Sequence, residues 1–502
     1  MVEKHTLRPV QEASVTRMMA EPTRGVLIAD DMGVGKTTVA SEFIARMGFE
    51  RVLIIGIKDT YEQWQERLEA QTDGALLLRW INADSVAGKK AYADFLASVP
   101  GAYFSGIEYL ATQNFRLDQV YNPDGSPEFV KNKVTGQLTE KLKKKKVNLR
   151  TYVKMKPLDA IIFDEVHKVQ NRVGNAARTL RMIKTAWKIG MSGTPYGNEF
   201  EGIWNPCIWV WPDHIDPSFI DWKMEWCESE MVRVKGGKKT EVTTGEKVPG
   251  TFVAQLPCYI RNEAAEKAPA AKVVHIDLLP EQRRDYEALE EEGVVYLGQH
   301  VLSTTLPVTL RSRLRTATLG VMSMDDDETV YFKEDTLSTK LNATKAILDH
   351  WGAQPVAIYC DSKQFVKVVV ARMQAAGYNA VEWSGDVSSA GRKKIKRDFL
   401  AGEIQYIVAV IQAFSTGLDG FQKVCSKVLW LSQSENGILN EQAIARFFRP
   451  GRTLKYGEFQ HVMLVARDTH DAGIYSKKLR QRLNMNQTLV IAEAEKARAI
   501  AA

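Results

Sequence analysis

The stretch Gly25 to Thr38, GVLIADDMGVGKTT, constrains this chain more than any other. A short apolar run, Val26-Leu27-Ile28-Ala29, enters a glycine-bearing turn that ends in Gly35-Lys36-Thr37. That order is the outline of a phosphate-cradling loop between a buried strand and a helix. Backbone N–H groups of such a loop point inward at the anion, and the helix that follows presents its positive end. On this reading Gly33 and Gly35 shape the cradle and Lys36 reaches the β- and γ-phosphates of ATP. Thr37 joins the Mg²⁺ shell, with Thr38 beside it. The first position of GxxxxGK(S/T) is Asp30 here, where the pattern has glycine.

A chain of 502 residues exceeds one core and implies two or three domains. Five cysteines without CxxC spacing argue against zinc sites and a disulfide framework, and fit a reducing compartment. No apolar run approaches membrane-spanning length and the amino terminus lacks a signal-peptide core, so a cytoplasmic protein is expected.

Around the loop the pattern alternates. Leu7 to Met19 has helical spacing, and Gln11 within it is either a solvated glutamine or a reader of the adenine edge. Arg51 to Ile57 reads as a buried strand and Tyr61 to Leu68 as an amphipathic helix, the alternation of a parallel sheet covered on both faces. Lys131 to Lys156 is crowded with lysines, Lys143, Lys144, Lys145 and Lys146 among them, and Glu140 is its only acid. It is either a solvated face or an arm that docks on phosphates. Leu158 to Phe163 then reads as a strand delivering Asp164 and Glu165. Beside a phosphate loop, Asp164 is expected to hold Mg²⁺ and Glu165 to polarise the attacking water. His167 is either structural or a relay between nucleotide and polymer. The turn Ser192-Gly193-Thr194-Pro195 is of a kind that senses γ-phosphate loss.

Trp204, Trp209, Trp211, Trp222 and Trp226 cluster in one span, for which packing of a helical insertion competes with stacking on bases. Met231 to Pro249, around Gly236-Gly237, reads as a basic hairpin or an exposed loop. Alternation resumes near Leu337, with no second phosphate loop.

The blocks Asp30 to Thr37, DEVHKVQN (Asp164 to Asn171) and MSGTPYGN (Met191 to Asn198) resemble successive motifs of superfamily-two helicases, closest to the Swi/Snf-type branch of DNA translocases. That branch usually reads DEMGLGKT, so Asp30 in the leading position is expected there. LRPVQ resembles its adenine-reading segment, and PCYIRNEAAEKAP its arginine-bearing segment, with only Arg261 kept. NEQAIARFFRPGR (Asn440 to Arg452) matches the QxxGRxxR finger motif through Gln442, Arg446 and Arg449, with Ala445 replacing glycine. Arginines three apart would share a helix face and reach one phosphate. Thr416 to Gly420 resembles the fifth motif, where Asp419 would orient an arginine or the ribose. Ser384 resembles part of a DNA-contacting segment.

The resemblance implies an α/β fold of two RecA-like lobes, their parallel sheets flanked by helices, with a helical insertion between them. The expected divisions are 1–203 with a basic insertion at about 121–156, 204–336, 337–470 and a helical tail at 471–502. The implied activity is a DNA-dependent ATPase that translocates along DNA. A strand-separating helicase and an ATP-switched binding module are the alternatives. Expected with it are ATP and Mg²⁺, duplex or branched DNA rather than RNA, no membrane, a monomer, and a bacterial or phage-infected cytoplasm.

Overall fold

The computed structural model describes residues 4–112, 115–119, 126, 129–131, 138–140, 142–146, 152, 154–197, 199–233, 239–303, 307–327, 329–415, 420–449 and 451–474. The chain divides into two compact units. The first comprises residues 1–228, 243–248 and 252–263, and the second comprises 229–242, 249–251 and 264–502.

In the first unit α1 (Pro9–Met19) precedes β1 (Gly25–Ile28), and α2 (Lys36–Met47) leads to β2 (Arg51–Ile55). After these come α3 (Tyr61–Gln71), β3 (Leu78–Trp80), β4 (Gly101–Ser105), β5 (Leu158–Asp164), β6 (Thr185–Met191) and β7 (Tyr259–Ile260). The sheet has seven strands in the order β7-β1-β6-β5-β2-β4-β3, and every pairing is parallel. A parallel sheet needs both faces covered, so its strands read as unbroken apolar runs. Accordingly Val26 to Ala29 and Val52 to Ile54 are wholly buried. The register brings the carboxyl ends of three adjacent strands level, with Ile28 opposite Met191 and Met191 opposite Asp164. That alignment gathers the site.

The tryptophan cluster is packing. α4 (Trp204–Val210) and α5 (Phe219–Trp226) carry it, and Trp204, Trp209, Trp211 and Trp222 are all buried. Trp211 donates its indole N–H to the Gly25 carbonyl at 3.0 Å. A Cβ at Gly25 would lie 2.6 Å from that ring, so only glycine fits at the first residue of β1.

The second unit repeats the architecture. Its elements are β8 (Lys272–Ile276), α6 (Thr339–Trp351), β9 (Val356–Cys360), α7 (Lys363–Ala375), β10 (Ala380–Trp383), α8 (Ser389–Ala401), β11 (Tyr406–Val410), β12 (Lys427–Trp430), α9 (Gly437–Ile444) and β13 (Gln460–Ala466). Six strands run parallel in the order β8-β13-β12-β9-β11-β10. Side chains of a strand alternate between faces. Val356, Ile358 and Cys360 thus enter one core cluster, and Ala357 and Tyr359 enter the other. Two parallel, helix-covered sheets are the RecA-like α/β fold expected of this sequence.

Within the lysine-rich insertion the backbone forms paired strands. Phe115–Gln119 runs antiparallel to Leu142–Lys146, with Asp118 opposite Lys143, and Phe129–Lys131 runs antiparallel to Leu138–Glu140. The side chains of Lys143, Lys144, Lys145 and Lys146 lie outside the described residues, as do Asp419, the Gly236-Gly237 turn and residues 475–502. Flanking that turn, Cys227–Arg233 and Lys239–Glu246 form a two-stranded sheet.

Candidate nucleotide site

The phosphate loop connects β1 to α2 with the backbone its sequence requires. Gly33 and Gly35 have φ of +87° and +98°, the left-handed region that favours glycine. A Cβ on Gly33 would meet open space, whereas one on Gly35 would meet Gln11 Nε2 at 2.4 Å. Lys36 opens α2 and donates its ammonium to the carbonyls of Asp30 at 2.7 Å and Asp31 at 3.3 Å. Burial pushes the Lys36 pKa down, against the pull of Glu165, Asp30, Asp164 and Asp31. Thr37 and Thr38 follow in the first turn of α2, both half-buried.

Gln11 sits on α1 with its side chain turned to the loop itself. Its Nε2 donates to the Val34 carbonyl at 2.9 Å, and its Oε1 accepts the Arg8 backbone N–H at 2.9 Å. Asp30 is also committed inside the protein. Fully buried, it accepts at Oδ1 from the backbone N–H and the side-chain amide of Asn262, each at 2.8 Å. Burial raises its pKa, opposed by Lys36, Asn262 and Arg261. Beside it Arg261 donates to the Ala29 carbonyl and to Asp31 Oδ1, both at 2.8 Å. Arg261 and Asn262 follow edge strand β7, so this clamp fastens the sheet's edge to the root of the loop. The sequence signal for Asn262 was its place next to Arg261; its partner was not readable.

Asp164 ends β5 and Glu165 begins a tight turn with φ of +61°, a conformation that side-chain-bearing residues rarely adopt. The Asp164 pKa is pushed up to about 6 by burial and then by the Glu165 charge, with Trp64, Lys36 and a backbone N–H opposing. Trp64 of α3 donates its indole N–H to Asp164 Oδ2 at 3.0 Å. Sequence reasoning placed Trp64 on an amphipathic helix and assigned it no role.

Strand β6 brings in the third motif. Ser192, fully buried, hydrogen-bonds His167 Nδ1 at 2.9 Å and accepts from the Thr194 backbone at 3.0 Å. His167 Nδ1 also lies 3.2 Å from Glu165 Oε2. Gly193 faces the loop, where an added Cβ would sit 3.8 Å from Lys36 Nζ. Lys36, Asp164, Glu165, His167, Ser192 and Thr194, far apart in sequence, therefore gather at the carboxyl end of one sheet.

In the second unit the finger motif departs from the helix expected of it. Helix α9 contains Gln442, buried in its last turn, and ends at Ile444. Arg446 and Arg449 follow in turns and share no helix face. The buried Phe447 stacks on Phe414 at 5.6 Å, and Pro450 disfavours helical backbone at Arg449. Arg446 lies near enough to Tyr359 to oppose, by its charge, the burial that raises that phenol's pKa. Arg449 donates from Nε to the Ala445 carbonyl. Ser384 is wholly buried, its hydroxyl donating to Glu382 and accepting from the Asp386 backbone at 3.2 Å. A polymer would not reach that hydroxyl in this conformation.

The first unit thus carries a phosphate-loop-type turn and an acidic pair at a neighbouring strand end, and the second unit is a further parallel sheet. Residues 4–197 match the family model described as "Type III restriction enzyme, res subunit". The SNF2 domain-containing protein ENL1 of Oryza sativa subsp. japonica is 22% identical over 491 residues, covering 85% of this chain and 46% of the relative. Chromodomain-helicase-DNA-binding protein 1-like of Danio rerio is 19% identical, covering 96% of this chain and 44% of the relative. The chain thus spans less than half the length of these curated relatives. A solved structure, "Sulfolobus solfataricus SWI2/SNF2 ATPase core in complex with dsDNA", aligns with 99% of this chain and 95% of its own at 16% identity and a TM-score of 0.39. Along most of its length this chain is therefore similar to SNF2-type and chromodomain-helicase proteins, and its first 197 residues to the restriction-enzyme res-subunit family.

Proposed function

We propose that the protein is a DNA-dependent ATPase that translocates along duplex DNA. The observation that carries this reading is the gathering of Lys36, Asp164, Glu165 and Ser192 at the level ends of β1, β5 and β6.

The residues present fit ATP with Mg²⁺. Among the described residues no group of three or more His, Cys, Asp or Glu side chains forms a metal cage. Mg²⁺ ordinarily takes one or two carboxylates and completes its shell with substrate phosphates and water. Asp164 and Thr37 would hold it, and when bound it neutralises charge building on the phosphates. The remaining work falls to the chain. Lys36 exchanges its two carbonyl acceptors for phosphate oxygens, which restores a charged partner to a desolvated ammonium. Glu165 takes the proton of the attacking water. The contacts from Glu165 through His167 and Ser192 to Thr194 give the phosphate end of the site a route to its surroundings when the γ-phosphate leaves. Arg446 and Arg449, assigned by motif alone, would supply positive charge in the transition state.

The polymer is read from the family, and its sugar-phosphate backbone is the natural track because contacts there carry no sequence information. The two-stranded sheet at Cys227–Arg233 and Lys239–Glu246 favours one second reading, a wedge that separates strands. Triplex displacement without strand displacement supports translocation, and the converse supports the wedge.

The test is ATP hydrolysis with no polymer, single-stranded DNA, duplex DNA, forked DNA and RNA in turn, on the parent and on Lys36→Ala. Duplex-stimulated hydrolysis is expected in the parent and none in the variant, with most DNA binding kept. Equal rates in the two proteins would overturn the site assignment.

A further inference from the structure

Trp64 makes a contact that packing alone does not explain. Its ring is wholly buried on α3, and a buried indole N–H needs an acceptor. The acceptor is Asp164 Oδ2, at 3.0 Å and one hundred residues away in sequence. Two further features narrow the meaning of that contact. Glu165 holds a left-handed φ of +61°, which fixes the backbone at the acidic pair. Helix α3 is itself anchored, because Leu68, one turn beyond Trp64, is wholly buried and the Tyr61 hydroxyl donates to the Leu78 carbonyl at 2.9 Å. The indole is thus a rigid donor, and a carboxylate bonded to a rigid donor loses its side-chain torsion as a free variable.

We infer that Trp64 is a positioning residue, holding one oxygen of Asp164 so that the carboxylate is set in advance for a divalent cation bound with the nucleotide. Outer partners of metal-binding carboxylates act in this way, and losing one typically costs 10–100-fold in metal affinity. The inference rests on the assignment of Asp164 to the metal in the proposed function.

The test reads metal binding rather than turnover. Mn²⁺ replaces Mg²⁺, and electron paramagnetic resonance measures free Mn²⁺ during titration of the full chain with ADP present. Trp64→Phe keeps an aromatic ring and drops the N–H, and it is expected to weaken Mn²⁺ binding about 10-fold. ADP affinity in the presence of EDTA should stay at the parental value. In an Asp164→Ala background, which removes the acceptor, the same substitution should change nothing further, because the coupling runs through that one side chain. If Trp64→Phe fails to fold, benzothienylalanine incorporated at position 64 keeps the bicyclic shape with sulfur in place of N–H, and the same loss is expected. Parental Mn²⁺ affinity in the donor-free protein would overturn the inference, as would an equal loss in both backgrounds. A parent that binds no Mn²⁺ with ADP would instead take down the nucleotide-site reading on which the inference stands.

Discussion

Replacing Asp164 with asparagine should stabilise the folded protein while abolishing ATP hydrolysis. Burial and the Glu165 charge hold the Asp164 carboxyl at about 6, against about 3.9 for an ordinary aspartate. That difference corresponds to about 3 kcal/mol at most by which folding disfavours the ionised group. The sign follows from proton counting. Below about pH 4 the carboxyl is protonated in both folded and unfolded chains, and it contributes nothing. Between about 4 and 6 the folded state retains a proton that the unfolded state releases, so stability falls as pH rises. Above about 6 the full cost is present. Asparagine never ionises, and its carbonyl oxygen still accepts the Trp64 N–H, so the variant avoids the cost. For a unit of this size about 3 kcal/mol is an upward shift of roughly 6–12 °C in melting temperature. The assay is thermal unfolding of the nucleotide-free full chain in EDTA, from pH 4 to pH 8. The gap between variant and parent should be near zero at pH 4 and open through pH 6. Adding Mg²⁺ with ADP should close part of it by stabilising the parent more than the variant. A gap of constant size across this range, or a less stable variant at pH 7.5, would refute the reasoning.

Two other substitutions test the scaffold and the coupling. Gly25→Ala places a methyl 2.6 Å from the Trp211 ring and 2.8 Å from the Val210 carbonyl, and overpacking of this kind costs about 1–3 kcal/mol; denaturant unfolding should show that loss, and an unchanged midpoint would mean α4 yields without cost. Ser192→Ala removes the hydroxyl shared by His167 and the Thr194 backbone, so polymer-independent ATPase should persist while DNA stimulation falls about 10-fold, within the usual range of coupling energies; steady-state hydrolysis with and without duplex DNA would show it.

The fold was legible because its signals are local. Apolar runs such as Arg51 to Ile55 and Lys427 to Trp430 can be buried on both faces only in a covered parallel sheet. The residues at the ends of β1, β5 and β6 were legible for the same reason, each following directly on a strand that reads clearly. What escaped was non-local. Nothing within YEQWQERL says that Trp64 aims at a carboxylate one hundred residues on. Nor does the spacing of Arg446 and Arg449 reveal that Phe447 must leave the helix to reach its core, although Pro450 was a local warning.

Asp30 illustrates the difference most clearly. As a letter in the loop pattern it stands where glycine usually does, and the resemblance accounts for it as a branch habit. The structure supplies the physical cause. A glycine at that place would leave the backbone N–H of Asn262 without its acceptor, while the side-chain amide would keep only Ser14 Oγ at 3.0 Å. An unsatisfied polar group costs up to about 1–3 kcal/mol where it is buried, and Asn262 is half-buried; a glycine's conformational freedom offers nothing in return, because no positive φ is needed at residue 30. The loop therefore divides its labour. Gly33 and Gly35 supply the left-handed backbone of the turn, Lys36 ties down the carbonyls of Asp30 and Asp31, and Asp30 secures the loop's root to the strand that closes the edge of the sheet. The residue that weakens the phosphate-loop pattern is the one that holds the loop in place.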